Sequence, residues 1–226
     1  MSCPKCGSLD CAKDGIVKEK QRYRCKSCGH RHTVQHRGIC PATKREALQL
    51  YLEGLGFRSI GRFLKCSHVA VYNWIKAHGE SIEAIRSAAG VDVVEMDEMH
   101  TYIGSKKTIG WIWIAVDRHG KRFLNCEVDS RDTDTGRKLW DAIKNNGITD
   151  VISDYWSPYE KFVPYALHTQ SKAETYTVEG YNSLFRHFLA RLRRKSKCYS
   201  KSKDMLKYSV MLLMLKRNGD LKAILN

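Results

Sequence analysis

Three carboxylates stand where strand and helix patterns begin or end. Asp97 follows a β-rich run at residues 91–96, Asp154 closes a short apolar run at 150–154, and Glu179 lies near the start of an amphipathic stretch. Hard oxygen donors of this kind suit Mg²⁺ or Mn²⁺, which keep several waters and need only a few Asp or Glu ligands. Two such ions ~3.5–4 Å apart activate a water or a 3′-hydroxyl and stabilise the leaving oxygen of an in-line phosphoryl transfer. Glu95, Glu98 and Asp117 are rivals to Asp97 as the first ligand.

The stretch after Glu179 adds positive charge beside the acids. A helix from 178 to 194 would place Asn182, Ser183, Arg186, Ala190 and Arg193, with Lys197 just beyond, within about 60° of Glu179 at about 100° per residue. Tyr181, Leu184, Phe185, Phe188 and Leu192 would then face the opposite way and pack on a sheet. No acidic residue occurs from Gly180 to Lys203, which suits a phosphate backbone running through the site. Asn182 and Arg186 are candidate site residues, and Arg193 and Lys197 candidate DNA contacts.

A second constellation is built from sulfur. Cys3 and Cys6 form one Cys-x-x-Cys pair, and Cys25 and Cys28 form another, with eighteen residues between the two pairs. Four thiolates in this arrangement suit tetrahedral Zn²⁺. Gly7 and Gly29 follow the pairs and supply the positive φ that such knuckles use. Tyr23, among Lys18, Lys20, Arg22 and Arg24, reads as a short hairpin between them. A module of ~35 residues cannot bury a sufficient core, so the metal would supply most of its folding energy. Cys11, His30 and His32 lack the paired spacing, and Cys40, Cys66, Cys126 and Cys198 are scattered.

Between the two constellations lies a helical segment. Pro41 and Thr43 open a helix in which Ala47, Leu48, Tyr51, Leu52 and Leu55 repeat at helical spacing, and Thr43 with Glu46 has a capping-box pattern. Gly54 and Gly56 end it. A short helix carries Ile60, Phe63 and Leu64, residues 65–67 turn, and a third helix covers 67–78. Val71, Trp74 and Ile75 face inward; His68, Tyr72, Asn73 and Lys76 are expected outward, as on a recognition helix in the major groove. A three-helix bundle with a solvated polar face is the alternative.

From residue 91 the pattern is α/β. Strands at 91–96, 111–116 and 122–128 precede a helix at 133–146 and a buried strand at 150–154. A turn and short helix at 155–162, a weak strand at 166–169, the helix at 178–194 and a last apolar helix follow. A three-strand meander followed by alternating helix and strand is the order of the ribonuclease-H-like mixed sheet, whose first and fourth strands run parallel and adjacent. Asp97 and Asp154 would then end neighbouring strands ~4.8 Å apart. The expected organisation is a zinc ribbon at 1–38, a helix-turn-helix module at 41–80, a linker at 80–90 and a catalytic domain at 91–226.

Charge follows this division. The chain has 226 residues, a formal charge of +15 and a pI near 9.5. Residues 1–90 carry +9, residues 91–178 carry −3 and residues 179–226 carry +9. Basic arms around an acidic centre fit an enzyme that holds divalent metal on a polyanion better than a protein that merely coats DNA. No apolar run approaches ~18 residues and no signal-peptide stretch opens the chain. Nine cysteines, four of them in metal-type pairs, fit a reducing, cytoplasmic setting.

These residues resemble the transposases of the insertion sequence 1 family. The matching segments are Met96-Asp97-Glu98, Gly104-Ser105-Lys106-Lys107 with Trp111, Ser153-Asp154-Tyr155-Trp156-Ser157-Pro158-Tyr159-Glu160, and Thr177-Val178-Glu179-Gly180-Tyr181-Asn182 through the basic run to Ser196. The resemblance extends to the two N-terminal modules. It implies a DDE triad of Asp97, Asp154 and Glu179 with Mg²⁺, and Asn182 and Arg186 at accessory positions. It also implies binding of double-stranded DNA at inverted-repeat ends and at a target, cleavage and strand transfer, and a homo-oligomer that joins two ends. His100 departs from the aromatic residue expected after the first Asp-Glu. An inactive DNA-binding regulator and a structure-selective nuclease such as a junction resolvase are the competing functions.

Overall fold

The computed structural model describes residues 2–33, 39–82 and 90–221. Most of the expected linker, residues 83–89, lies outside them, as does the end of the expected zinc-ribbon segment. The chain divides into two compact units, Met1–Thr43 and Lys44–Asn226.

In the first unit β1 (Cys11–Val17), β2 (Lys20–Cys25) and β3 (Arg31–Thr33) form an antiparallel sheet in that order. The expected hairpin is therefore present, with a third strand added. Little apolar surface is enclosed: among the described residues of this unit Cys3 and Cys25 are the buried apolar ones, while Leu9 and Ile16 are exposed. Each Cys-x-x-Cys pair closes a tight knuckle, with Gly7 N–H donating to Cys3 O and Gly29 N–H to Cys25 O. Both glycines have the expected positive φ, 74° and 71°.

The second unit opens within α1 (Pro41–Leu52) and continues through α2 (Phe57–Phe63) and α3 (His68–Glu80). Ser67 caps α3 by accepting from Ala70 N–H at 3.0 Å. The α/β segment follows as β4 (Val93–Ile103), β5 (Ser105–Asp117), β6 (Arg122–Asp129), α4 (Thr133–Ile143), β7 (Asp150–Ser153), β8 (His168–Gln170), α5 (Tyr176–Phe188) and α6 (Lys203–Asn218). The sheet order is β6-β5-β4-β7-β8. The first three strands are antiparallel, and β4, β7 and β8 run parallel. This is the ribonuclease-H-like α/β arrangement, including the first and fourth strands side by side.

One sheet face packs on α4 through Val94, Met96, Trp113, Leu139 and Trp140; the other packs on α5 and α6. The second core also contains Leu48, Tyr51, Leu52, Ile60, Val71 and Ile75 from the three N-terminal helices. The segment expected to be a separate module at 41–80 therefore shares its interior with the α/β segment. Tyr51 OH donates to Ser209 Oγ of α6 at 2.7 Å, and a Cβ on Gly79 would overlap the Tyr208 ring. The wholly apolar middle of α6, buried from Leu212 to Leu215, has helices on one side and sheet on the other.

Several expected boundaries change: β5 begins at Ser105 rather than 111 and α4 ends at Ile143 rather than 146. β4 continues through Asp97 to Ile103, because the antiparallel pairing with β5 extends well beyond the parallel pairing with β7. The helix carrying Glu179 ends at Phe188 rather than near 194. Residues Leu189, Ala190, Arg191 and Leu192 are all buried, which one face of a helix cannot achieve. The chain becomes extended at Leu189 and then makes a single 3-10 turn.

A candidate carboxylate centre

The last parallel pair between β4 and β7 is Glu95 with Ile152. Continuing that register by two residues sets Asp97 opposite Asp154, which stands just past the end of β7. Asp154 Oδ1 accepts from Trp156 N–H at 3.0 Å, orienting its carboxylate at the turn. Glu179 lies exposed in the first turn of α5. One α5 turn on, Asn182 is buried and donates through Nδ2 to Asp97 Oδ2 at 2.5 Å. Its Oδ1 has no protein partner.

Asp97, Glu98, His100, Glu179, Asn182, Arg186 and Arg194 are among the residues lining one cavity of about 350 Å³. Asp154 is not in that lining, but its charge acts on Asp97, Glu98 and Tyr159. Burial, followed by the charges of Glu98, Asp154 and Glu179, pushes the Asp97 carboxyl up to about 7. Concentrated negative charge on hard oxygens is the chemistry that Mg²⁺ or Mn²⁺ neutralises. Among the described residues, the three carboxylates do not form a set with all ligand atoms within 4.8 Å. Bringing them onto one ion therefore requires side-chain rotation. The donor set fits the metal, and exposed Glu179 has room to move.

The rivals to Asp97 have other partners. Glu95 is fully buried; it accepts from Arg118 Nε at 2.7 Å and from Val178 N–H at 2.9 Å, which ties β4 to the N-terminus of α5. Glu98, on the opposite face of the strand, accepts from Arg131 Nε and Tyr159 OH, each at 2.7 Å. Burial raises the Glu98 carboxyl in spite of those bonds. Arg131 lies between the rings of Trp111 and Trp156, 4.7 and 4.4 Å from their centres. Asp117 pairs with Arg122 and accepts from Gly120 N–H at the hairpin turn. Sequence reasoning did not find these partnerships, since Arg118, Arg131 and Tyr159 lie 23, 33 and 61 residues from their acids.

The basic track expected along the glutamate helix is altered. Arg186 remains on α5 and lines the cavity; burial and neighbouring Arg194 lower its pKa. Arg193 and Lys197 lie beyond the end of α5 and are exposed in the strap that follows. Arg194, which the helical wheel did not single out, lines the cavity instead.

On the expected recognition helix, His68 and Asn73 are exposed. Tyr72 is turned inward with its ring edge-on to Phe57, so it belongs to the core rather than the outward set. Lys76 is half-buried and paired with Glu80 at 3.1 Å. A cleft of about 470 Å³ at the α2–α3 turn is lined by Arg58, Arg62, Lys65 and His68, together with Gly61, Cys66 and Ser67. A side chain on Gly61 would meet Cys66 O at 2.8 Å, so the tight turn requires glycine. His68 is an expected contact; Arg58, Arg62 and Lys65 were not among the expected contacts.

The thiol site is compact. The Sγ atoms of Cys3, Cys6, Cys25 and Cys28 all lie within 4.8 Å of one another, and the Cys3–Cys28 and Cys6–Cys25 separations are both 3.6 Å. Zn–S bonds of ~2.3 Å in a tetrahedron place sulfurs at about these separations. A hydrogen bond from the Cys28 backbone is the main cause lowering the Cys25 thiol to about 6. Hydrogen bonding to the neighbouring thiols and burial push Cys6 up to about 12, so the metal-free cluster favours a thiolate at Cys25 and a thiol at Cys6.

The IS1 transposase family matches residues 91–217. The chain belongs to this family. Insertion element IS1 4 protein InsB of Escherichia coli K12 is 34% identical over 123 residues, which cover 53% of this chain and 74% of that protein. Insertion element iso-IS1n protein InsB of Shigella dysenteriae is 30% identical over 113 residues, covering 50% and 86%. Among solved structures, the catalytic core domain of BIV integrase aligns with 56% of this chain and 83% of its own, at 14% identity and a TM-score of 0.39. The HTLV-2 integrase catalytic core in complex with magnesium aligns with 58% and 87%, at 14% identity and a TM-score of 0.41. Among the described residues of this transposase-family chain, no helix is long and apolar enough to cross a membrane.

Proposed function

We propose that this chain binds the inverted-repeat ends of an insertion sequence and catalyses Mg²⁺-dependent DNA cleavage and strand transfer. The observation carrying this reading is the placement of Asp97, Asp154 and Glu179, from two neighbouring parallel strands and one helix, around a region edged by Arg186 and Arg194. Asp97, Asp154 and Glu179 would hold Mg²⁺ or Mn²⁺, which when bound activates a hydroxyl and neutralises charge on the leaving oxygen. Asn182 fixes the Asp97 carboxylate through the bond from Nδ2. Arg186 and Arg194 grip phosphate oxygens and draw the DNA backbone toward the acids. His68 and Asn73 of α3, with the basic α2–α3 cleft, meet the duplex at the recognition end. The four cysteines hold Zn²⁺ as a structural ion, and the protein acts as a homo-oligomer on paired ends in the cytoplasm.

The test uses the full chain and duplexes carrying the DNA that flanks its gene. Wild type nicks these duplexes in Mg²⁺; Asp97→Asn, Asp154→Asn and Glu179→Gln each abolish nicking and strand transfer while leaving binding within about twofold. The amide keeps the shape and loses the charge that holds the metal. Retained activity in all three variants ends the metal–carboxylate reading. Binding without nicking by wild type favours the regulator. Cutting of four-way junctions regardless of sequence favours the nuclease.

A further inference from the structure

The Gly104-Ser105-Lys106-Lys107 segment has no part in the chemistry above, yet it forms a projecting feature. β7 pairs with β4 only at Val93, Val94 and Glu95, and β6 reaches along β5 only to Trp111. Residues 101–110 therefore extend past both neighbours as a two-stranded arm. Near its tip the register shifts: Tyr102 faces Ile109, whereas Ile103 faces Ser105. Lys106, Lys107 and Thr108 are left to bulge outward, all exposed. Such bulges aim side chains away from a ladder.

The arm is braced by the strap that follows α5. Gly104 N–H donates to Ser200 O at 2.8 Å, Lys201 Nζ donates to Gly104 O at 3.1 Å, and Ile103 bridges to Ser200. The same strap carries Arg194 at the carboxylate cavity and exposed Lys195, Lys197 and Lys201 on the way to the arm. Neither the arm lysines nor these strap cations have a carboxylate within 4.0 Å among the described residues, although Lys203, Lys207 and Lys216 nearby in the sequence are paired. Unpaired cations in a row from the cavity to a braced tip form an electrostatic track for a polyanion.

We infer that the arm is a second duplex-DNA contact, with Lys106 and Lys107 on the phosphates about five base pairs from the phosphate held at Asp97. The spacing follows from the strand. Five to six residues separate Asp97 from the level of the bulge, or ~18 Å, against ~3.4 Å per base pair. A lysine tip neutralises phosphates without reading bases, so the contact is sequence-independent. This rests on the transposase reading for the position of the cleaved phosphate.

The experiment measures binding of the full chain to a labelled 40-base-pair duplex of arbitrary sequence across a salt series. Substituting Lys106→Ala together with Lys107→Ala should make the slope of log affinity against log salt less steep by about 2, near 0.9 per lost phosphate contact. Lys106→Arg with Lys107→Arg should restore it, and Lys138→Ala on α4 should leave it unchanged. An unchanged slope in the alanine pair overturns the inference, as does an equal change in the Lys138 control. On flanking-DNA duplexes trimmed to about three base pairs beyond the mapped nick, wild type and the alanine pair should bind alike. A difference that persists there overturns the placement. If Asp97→Asn still nicks DNA, the catalytic reading fails while the slope result stands independently.

Discussion

Replacing Glu95 should disable the carboxylate centre without touching any of its three acids. Glu95 is wholly buried and accepts one bond from Arg118 at 2.7 Å and one from the Val178 backbone at 2.9 Å. The gross attraction to Arg118 is about 6 kcal/mol at an effective dielectric of ~20. Desolvation cancels much of it, and removing one member of such a buried pair costs about 3–5 kcal/mol. Arg118 is only 14% exposed but keeps Glu174 as a second partner, so Glu95→Gln should fall near ~3 kcal/mol. Gln can still accept one of the two bonds, while its amide nitrogen faces a donor on the other.

The consequence for chemistry comes through Val178, the residue before Glu179. Losing the bond to its N–H releases the first turn of α5, and a displacement of ~1 Å at a reacting group can cost about 10²-fold in rate. Nicking assays over a Mg²⁺ series should show that loss, with half-activation moved to higher metal by about tenfold and DNA affinity unchanged. Glu174→Gln is the comparison: Glu174 is 51% exposed, and exposed pairs contribute less than ~1 kcal/mol. Urea unfolding measures the stability difference. Wild-type nicking and metal dependence in Glu95→Gln would refute the claim that this carboxylate places Glu179.

Other expectations follow from the same geometry. Cys25→Ser with Cys28→Ser should remove about one equivalent of zinc by metal analysis and unfold residues 2–33, leaving the melting of the second unit unchanged. Glu98→Gln should lower stability by about 2–4 kcal/mol in urea, because Arg131 and Tyr159 lose a buried charged acceptor. Gly79→Val should destabilise the whole second unit in one transition by forcing α3 off Tyr208; two separate thermal transitions would show that the helices unfold on their own.

Periodicity made the sheet segment readable. The apolar, β-rich run at 111–116, the strand pattern at 122–128 and the buried run at 150–154 marked the strands, and the order of elements implied the parallel central pair. Paired cysteine spacing identified the thiol cluster, because the metal's ligand geometry is local in sequence. Helix ends were less visible. Leu192 fits the apolar face of a longer α5, and only the burial of Leu189 through Leu192 explains the break. Tyr72 was misplaced for a related reason: it lies on the polar side of α3 by pattern, but Phe57 offers its ring a partner. The shared core was hidden too, since α6 has apolar residues nearly all round and its pattern does not say which neighbour covers each side.

The run Glu95-Met96-Asp97-Glu98 shows why residue type alone left the first ligand open. All three acids lie on one strand within ten ångströms or so of backbone, at ~3.3 Å per residue. Strand alternation sends Glu95 and Asp97 toward α5 and Glu98 toward α4. Glu95 lies beside the helix N-terminus, where Arg118 bonds one of its oxygens and the Val178 N–H the other. Glu98 is consumed by Arg131 and Tyr159. Asp97, beyond the last β4–β7 pair and facing a cavity, receives only the Asn182 amide as a side-chain hydrogen bond and feels two acids from other elements, Asp154 and Glu179. Of the three, it is the carboxylate with both unsatisfied charge and open space before it, which is what a divalent ion requires.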